Sequence, residues 1–161
     1  GLPCSGKTTI AKKLQELISN MAVLDGDELR EWLSAKDFSR EGRNEHNKKV
    51  AHLAKLLLNH NVPTVVSLIS PFNENRKYAR EIMGNDRFVE IYIKCSLSLC
   101  EKRDDKGMYK KARQNEIKNF TGVNDDYDIP NNPDLIVDTE TESLDKNVKQ
   151  IMDYLSAHNF Q

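Results

Sequence analysis

Apolar residues fall at Ile10, Ala11, Leu14, Leu17 and Ile18, the spacing of one helical face, and predict a helix over 8–20. The short apolar run Met21-Ala22-Val23-Leu24 follows and breaks at Asp25-Gly26-Asp27, which reads as a buried strand delivering two carboxylates to a turn. Residues 28–34 predict a short helix, and 36–43 a polar loop around one aromatic, Phe38. Helical spacing returns with Val50, Leu53, Ala54, Leu57 and Leu58 and predicts a helix over 44–59. The stretch 63–69 is apolar without alternation, as in a parallel strand covered on both faces. Ser70-Pro71-Phe72 turns into a helix over 73–83, which Gly84 stops. Strands at 88–93 and 135–138, a short helix at 95–103 and a closing amphipathic helix on Leu144, Val148, Ile151, Met152 and Leu155 complete the pattern. Strands and helices alternating at this spacing imply an α/β fold of three layers, with a mostly parallel sheet and right-handed crossovers.

Composition narrows the partners. The chain of 161 residues is read as one domain over 1–161, with 30% charged residues and a formal net charge of −1. No broad basic field is present to attract nucleic acid or an anionic membrane surface, and no apolar run approaches the length of a membrane span. Three cysteines, Cys4, Cys95 and Cys100, argue against a disulfide framework and for a reducing compartment, so a cytoplasmic protein is expected. The run 102–113 is strongly charged, with Gly107 near its middle. It reads either as a mobile flap over bound phosphates or as a solvated helical face, the commoner fate of such runs.

Chemistry enters with the first residues. Gly1-Leu2-Pro3-Cys4-Ser5-Gly6-Lys7-Thr8-Thr9 satisfies the phosphate-loop pattern G-x-x-x-x-G-K-[ST]. Gly1 and Gly6 permit the backbone turns that point amide N–H groups, including those of Cys4, Ser5 and Thr9, into one anion-holding concavity. Lys7 is placed to reach the β- and γ-phosphates of ATP, and the Thr8 hydroxyl to ligate Mg²⁺. The helix that follows directly turns its positive end toward the anion. A strand is expected ahead of Gly1, so the first strand of this P-loop NTPase fold lies outside the sequence. No N/T-K-x-D guanine-reading motif is present, and Ile69 is followed by Ser70-Pro71 rather than by an acid. Asp25 and Asp27 instead end the first strand after the loop's helix, which suits a small-molecule kinase: one carboxylate orients the Mg²⁺ shell, another accepts a hydroxyl proton.

Further segments carry a resemblance. The phosphate loop, Asp25-Gly26-Asp27-Glu28-Leu29-Arg30, Phe38-Ser39 with Arg43 and Glu45, Ile69-Ser70-Pro71-Phe72, Cys100-Glu101-Lys102-Arg103-Asp104, Lys106-Gly107-Met108-Tyr109-Lys110-Lys111-Ala112-Arg113 and Phe120-Thr121-Gly122 together resemble the adenylyl-sulfate kinase family, in order and over almost the whole chain. The resemblance implies transfer of the γ-phosphoryl group of ATP to the ribose 3′-hydroxyl of a nucleotide whose 5′-phosphate carries a second small group. It implies that Lys7, Asp25 and Asp27 carry catalysis, with Thr8 and Asp25 toward the metal and Asp27 also toward the acceptor. Arg30 and Arg43 then hold the acceptor's anionic end, Phe38 and Phe120 sandwich its base, and Ile69 and Ser70 line its site. Arg103 packs on the ATP base, and residues 104–119, with Lys106, Gly107 and Met108, form a lid that excludes water. A homodimer is implied as well.

The family pattern is not kept everywhere. Where it reads F-S-x-x-D-R-x-E-N-[IV]-R-R, this chain has Gly42 for the acid, His46 for the amide and Lys48-Lys49 for the arginine pair. Where it tends to S-P-Y-x-x-D-R, the chain has Phe72 and Asn75. Pro3-Cys4-Ser5 differs only at free positions of the loop. Departures gathered around the acceptor change the hydrogen bonds that a nucleotide can make. They fit a branch resembling adenylyl-sulfate kinases that phosphorylates cytidine diphosphoramidate in bacterial capsule synthesis, and this compound is the expected acceptor. Adenylyl sulfate is the alternative. His46 either reads the base or is an exposed helix residue. A regulatory nucleotide-binding protein without catalysis stays open, opposed by the intact Lys7, Thr8, Asp25 and Asp27. A nucleic-acid kinase lacks the extended basic groove it would need.

Overall fold

Gly6 adopts a φ of 96°, in the left-handed region where a side chain is strained, and this turn releases the chain into helix α1, Lys7–Leu17. The computed structural model describes residues 1–158 and 160. After α1 come β1 (Ala22–Asp25), α2 (Gly26–Trp32), α3 (Arg40–Asn59), β2 (Thr64–Ser67), α4 (Asn73–Met83), β3 (Ile91–Lys94), α5 (Leu97–Lys102), α6 (Met108–Arg113), β4 (Leu135–Asp138) and α7 (Leu144–Ala157). A single 3₁₀ turn, Asn85–Arg87, precedes β3.

The strands are all parallel, as expected, and pair as β1 with β2 and β3 with β4. Ala22 lies opposite Thr64 and Asp25 opposite Ser67; Ile91 lies opposite Leu135 and Lys94 opposite Asp138. Among the described residues the two pairs are not joined by a ladder, so the expected single sheet is present as two parallel pairs around a shared core. Ile10 and Leu14 of α1 meet Ile93, Val137, Val148 and Ile151, with Val65 of β2 packed against them. On the other side Leu24 and Leu29 meet Val50, Ala54 and Met83 of α3 and α4. Helices thus flank the strands on both faces, and every parallel strand ends on the same side, where open α/β sheets bind ligands. Among the described residues no helix is long and apolar enough to cross a membrane.

Several boundaries differ from the pattern reading: α1 ends at Leu17 rather than 20, and β3 begins at Ile91 rather than 88. α3 starts at Arg40, because the Ser39 hydroxyl caps it by accepting the Gly42 N–H at 3.1 Å; the stretch 40–43, expected as loop, is its first turn. The strand expected over 63–69 runs only Thr64–Ser67, and it is not covered on both faces: Val65 packs against the Ile10 cluster, whereas Val66, on the opposite face, is 38% exposed.

Candidate active site

The phosphate loop is held open by its own framework. Cys4 takes a left-handed φ of 59°, and the Ser5 N–H closes on the Leu2 carbonyl at 3.3 Å. Thr139, directly after β4, donates its hydroxyl to the Ser5 carbonyl at 2.9 Å, and it receives the Arg103 guanidinium on its own carbonyl at 2.7 Å and on its hydroxyl at 3.2 Å. Lys7, at the first position of α1, donates to the Leu2 carbonyl at 2.6 Å. Burial holds its ammonium down to about 8, the nearby Cys100, Cys4 and carboxylate groups offsetting only part of that.

Beside the loop, Asp25 is shared between two tasks. Its Oδ1 accepts the Asp27 N–H at 3.0 Å and so caps α2, while its Oδ2 accepts the Thr8 hydroxyl at 2.7 Å. The Ser67 hydroxyl, at the end of β2, stands 3.3 Å from Thr8 Oγ1. One carboxylate and two hydroxyls at a helix N-terminus are the hard oxygen donors that Mg²⁺ prefers, with coordination positions left for water and phosphate oxygens. Among the described residues no group of three or more His, Cys, Asp and Glu is placed to hold a metal ion.

A cavity of about 430 Å³ opens over the loop, lined by Lys7, Thr8, Arg103, Thr139, Leu144 and Asn147 among others. That volume lies in the range of small-molecule sites, and of the expected phosphate-loop residues Cys4, Gly6, Lys7, Thr8 and Thr9 line it, while Gly1 and Ser5 do not. Ser67, Thr139, Leu144 and Asn147 were not legible as site residues. Only the place of Ser67 and Thr139 at strand C-termini could have signalled them.

The acceptor-side candidates gather around α2 and α3. Arg30 donates to the carbonyls of Ala35 at 3.0 Å and Asp37 at 3.3 Å, and its guanidinium lies 4.6 Å from the centre of the Phe38 ring. Arg43 is buried; it donates to the Phe38 carbonyl at 3.1 Å and to the Asn119 carbonyl, and meets Asp125 at 3.4 Å. One guanidinium thus ties together the two backbone segments that carry Phe38 and Phe120. Phe38 is 46% exposed; Phe120 is half-buried, its ring edge-on to Tyr109 with centroids 4.9 Å apart. Ser70 has a strained φ of 43° and its carbonyl accepts from Arg76; Ile69 is half-buried beside it.

His46 is buried at 2% exposure, which removes the reading of an exposed helix residue. Its place on the inner face of α3 accounts for that. Neither ring nitrogen has a hydrogen-bond partner, and burial, aided by Arg30 and Lys49, holds it down to about 4. The imidazole is therefore neutral at physiological pH. Since the free side chain titrates near 6.5, folding is favoured fully above that pH and loses this contribution as pH falls toward 4. A His46→Asn variant should show a shallower fall of melting temperature between pH 6.5 and 4 than the parent protein; parallel curves would contradict the assignment.

The charged run forms α6, opened by Gly107 at a φ of 66°. Lys106 and Met108 are exposed, but Tyr109 and Ala112 are buried at 2% and 1%, so the run is anchored rather than solvated throughout. The Tyr109 hydroxyl donates to the Pro3 carbonyl at 3.0 Å and the Asp104 carboxylate accepts the Tyr109 N–H at 2.7 Å. Tyr109→Phe should cost about 1 kcal/mol of stability, read from chemical denaturation, and should loosen the loop's hold on phosphate.

Comparison with known proteins places this geometry. A family model described as adenylylsulphate kinase matches residues 1–138. Adenylyl-sulfate kinase of Clostridium kluyveri is 42% identical over 97% of this chain and 80% of its own length. That of Pseudomonas aeruginosa is 40% identical over 98% of this chain and 83% of its own. Among solved structures, the APS kinase of Mycobacterium tuberculosis in complex with AMPPNP and APS superposes with a TM-score of 0.87 at 39% identity, over 97% of this chain and 94% of that one. These matches overturn the expected cytidine diphosphoramidate acceptor, since the relatives at about 40% identity over most of the chain bear the adenylyl-sulfate name. The geometry supplies a physical reason. Gly42 does not strip its corner of a carboxylate, because the Asp37 side chain already occupies the space beside it, Asp37 Cβ lying 2.7 Å from where a Cβ on Gly42 would stand.

Proposed function

The chain belongs to the adenylylsulphate kinase family, and on that premise we propose that it transfers the γ-phosphoryl group of Mg·ATP to the ribose 3′-hydroxyl of adenylyl sulfate. The observation that carries this reading is the Thr8–Asp25 contact at 2.7 Å, with Asp27 next to it on the first turn of α2 and Lys7 on the loop. In this reading a phosphate cradle, a cation position and a free carboxylate lie side by side.

In this reading Gly1, Cys4, Ser5, Gly6, Lys7, Thr8 and Thr9 hold the ATP phosphates, and Arg103, fixed by Thr139, packs on its base. Mg²⁺ held by Thr8 and Asp25 would supply charge neutralisation between the β- and γ-phosphates. Lys7 stabilises charge on the transferring group, and Asp27 accepts the proton of the 3′-hydroxyl as the new O–P bond forms and the bond from the γ-phosphorus to the bridging oxygen breaks, its electron pair leaving with ADP. Arg30 and Arg43 face the acceptor's anionic end, Phe38 and Phe120 its base, and His46, Ile69 and Ser70 the remaining wall. The segment 104–119 acts as the lid, with Lys106, Gly107 and Met108 over both substrates; its anchorage through Tyr109 to Pro3 supports a hinge at Gly107. The single domain over 1–161, the cytoplasmic setting and the homodimer belong to the same proposal, the last checked by sedimentation. The setting is supported by three free thiols among the described residues.

The test is ADP release from Mg·ATP with and without adenylyl sulfate, coupled to detection of a 3′-phosphorylated product. Acceptor-dependent turnover is expected. ADP release indifferent to the acceptor, with no such product, would refute the proposal.

A further inference from the structure

The strap between α2 and α3 holds three of the proposed acceptor residues by its backbone. Arg30 donates to the carbonyls of Ala35 and Asp37, and Arg43 donates to that of Phe38. What fixes the strap itself is a contact with the first turn of α3. The Asp37 carboxylate accepts the Ser39 N–H at 2.8 Å, and Ser39 in turn caps α3 through the Gly42 N–H. Asp37 can lie there only because Gly42 has no side chain. A Cβ on Gly42 would stand 2.7 Å from both the Asp37 Cβ and its carbonyl oxygen, inside the closest approach that carbon atoms tolerate. The Asp37 carboxylate is held below the usual carboxylate range, chiefly by the Ser39 backbone hydrogen bond.

The departure at position 42 therefore has a counterpart five residues upstream. We infer that Asp37 and Gly42 form an exchanged pair, in which Asp37 takes over the space and the negative charge of a side chain at 42 and acts as a positioning residue for acceptor binding. Its effect reaches the acceptor through the strap: the carbonyls of residues 35, 37 and 38 set the two guanidinium groups, and the same backbone carries the Phe38 ring. The inference rests on the reading of Arg30, Phe38 and Arg43 as acceptor residues.

The pair is tested by a double-mutant cycle in the whole chain, using Asp37→Gly, Gly42→Asp and both together, with adenylyl sulfate as acceptor. Asp37→Gly should raise the acceptor KM about three- to tenfold while kcat and the KM for ATP stay within about twofold. Gly42→Asp should do worse and lower the melting temperature, because two carboxylates and the strap backbone compete for one space. The double variant should recover most of both losses, giving an acceptor KM well below the product of the single effects. An acceptor KM unchanged by Asp37→Gly, or single effects that merely multiply, would overturn the inference. A parent protein that does not turn over adenylyl sulfate refutes the function reading instead. The ligand-free cycle of melting temperatures then decides the pairing alone: additive shifts overturn it and compensating shifts support it.

Discussion

A Lys7→Met variant is expected to lose about 10²–10³-fold in kcat while its melting temperature stays level or rises. The two effects have one origin. The Lys7 ammonium is buried with the Leu2 carbonyl as its hydrogen-bond acceptor, so the free protein bears a desolvated charge that only the phosphates of ATP can fully use. Removing it relieves the free protein and cripples the loaded one. The same burial gives a pH signature, since Lys7 titrates from about 8 rather than 10.5. Above pH 8 the empty site sheds its proton, and bound ATP must draw it back, so binding should be accompanied by proton uptake that grows between pH 8 and 9. Calorimetry in buffers of different ionisation enthalpy measures this directly. A Lys7→Met variant that keeps near-parental kcat would remove Lys7 from the reaction.

Asp27→Asn should be the second severe lesion, lowering kcat by about 10²–10⁴-fold with little change in either KM. Asp27 sits in the first turn of α2, and its backbone N–H, not its carboxylate, makes the local capping bond to Asp25. An amide of the same shape preserves that cap and α2, so stability should hold. Asp25→Asn would be a less clean experiment, because Asp25 both caps α2 and meets Thr8. If Asp27→Asn instead raised the KM for ATP and spared kcat, the carboxylate would be assigned to metal binding.

How much of this was readable from residue order depends on the kind of interaction. Strands and helices with apolar periodicity, such as Ile10 to Leu14 against Val148 and Ile151, were legible because burial repeats with the element's own period. The phosphate loop was legible because its geometry is local, each glycine and Lys7 serving a position only a few residues away. The first turn of α3 was not, because a Ser39 cap and polar residues carry no periodic signal. Nor was the change at Gly42 interpretable alone. In the sequence it is a missing carboxylate, and only the folded strap shows Asp37 in its place. Thr139 escaped for a related reason: its partner Ser5 lies at the other end of the chain. His46 could have been exposed or buried on pattern grounds, and the packing of α3 against α4, β1 and β2 leaves it buried.

The Thr139–Ser5 contact bears on how the protein comes off the ribosome. The phosphate loop is synthesised before Thr139, and its Ser5 carbonyl waits for a hydroxyl that emerges 134 residues later. Arg103 needs the same residue to complete its fork. A nascent chain therefore carries the whole nucleotide-binding motif through the synthesis of the intervening residues without its finished shape, and tight nucleotide retention becomes a property of a chain that has reached Thr139. Arrested chains ending before and after Thr139 would differ in that retention although both contain every residue of the motif.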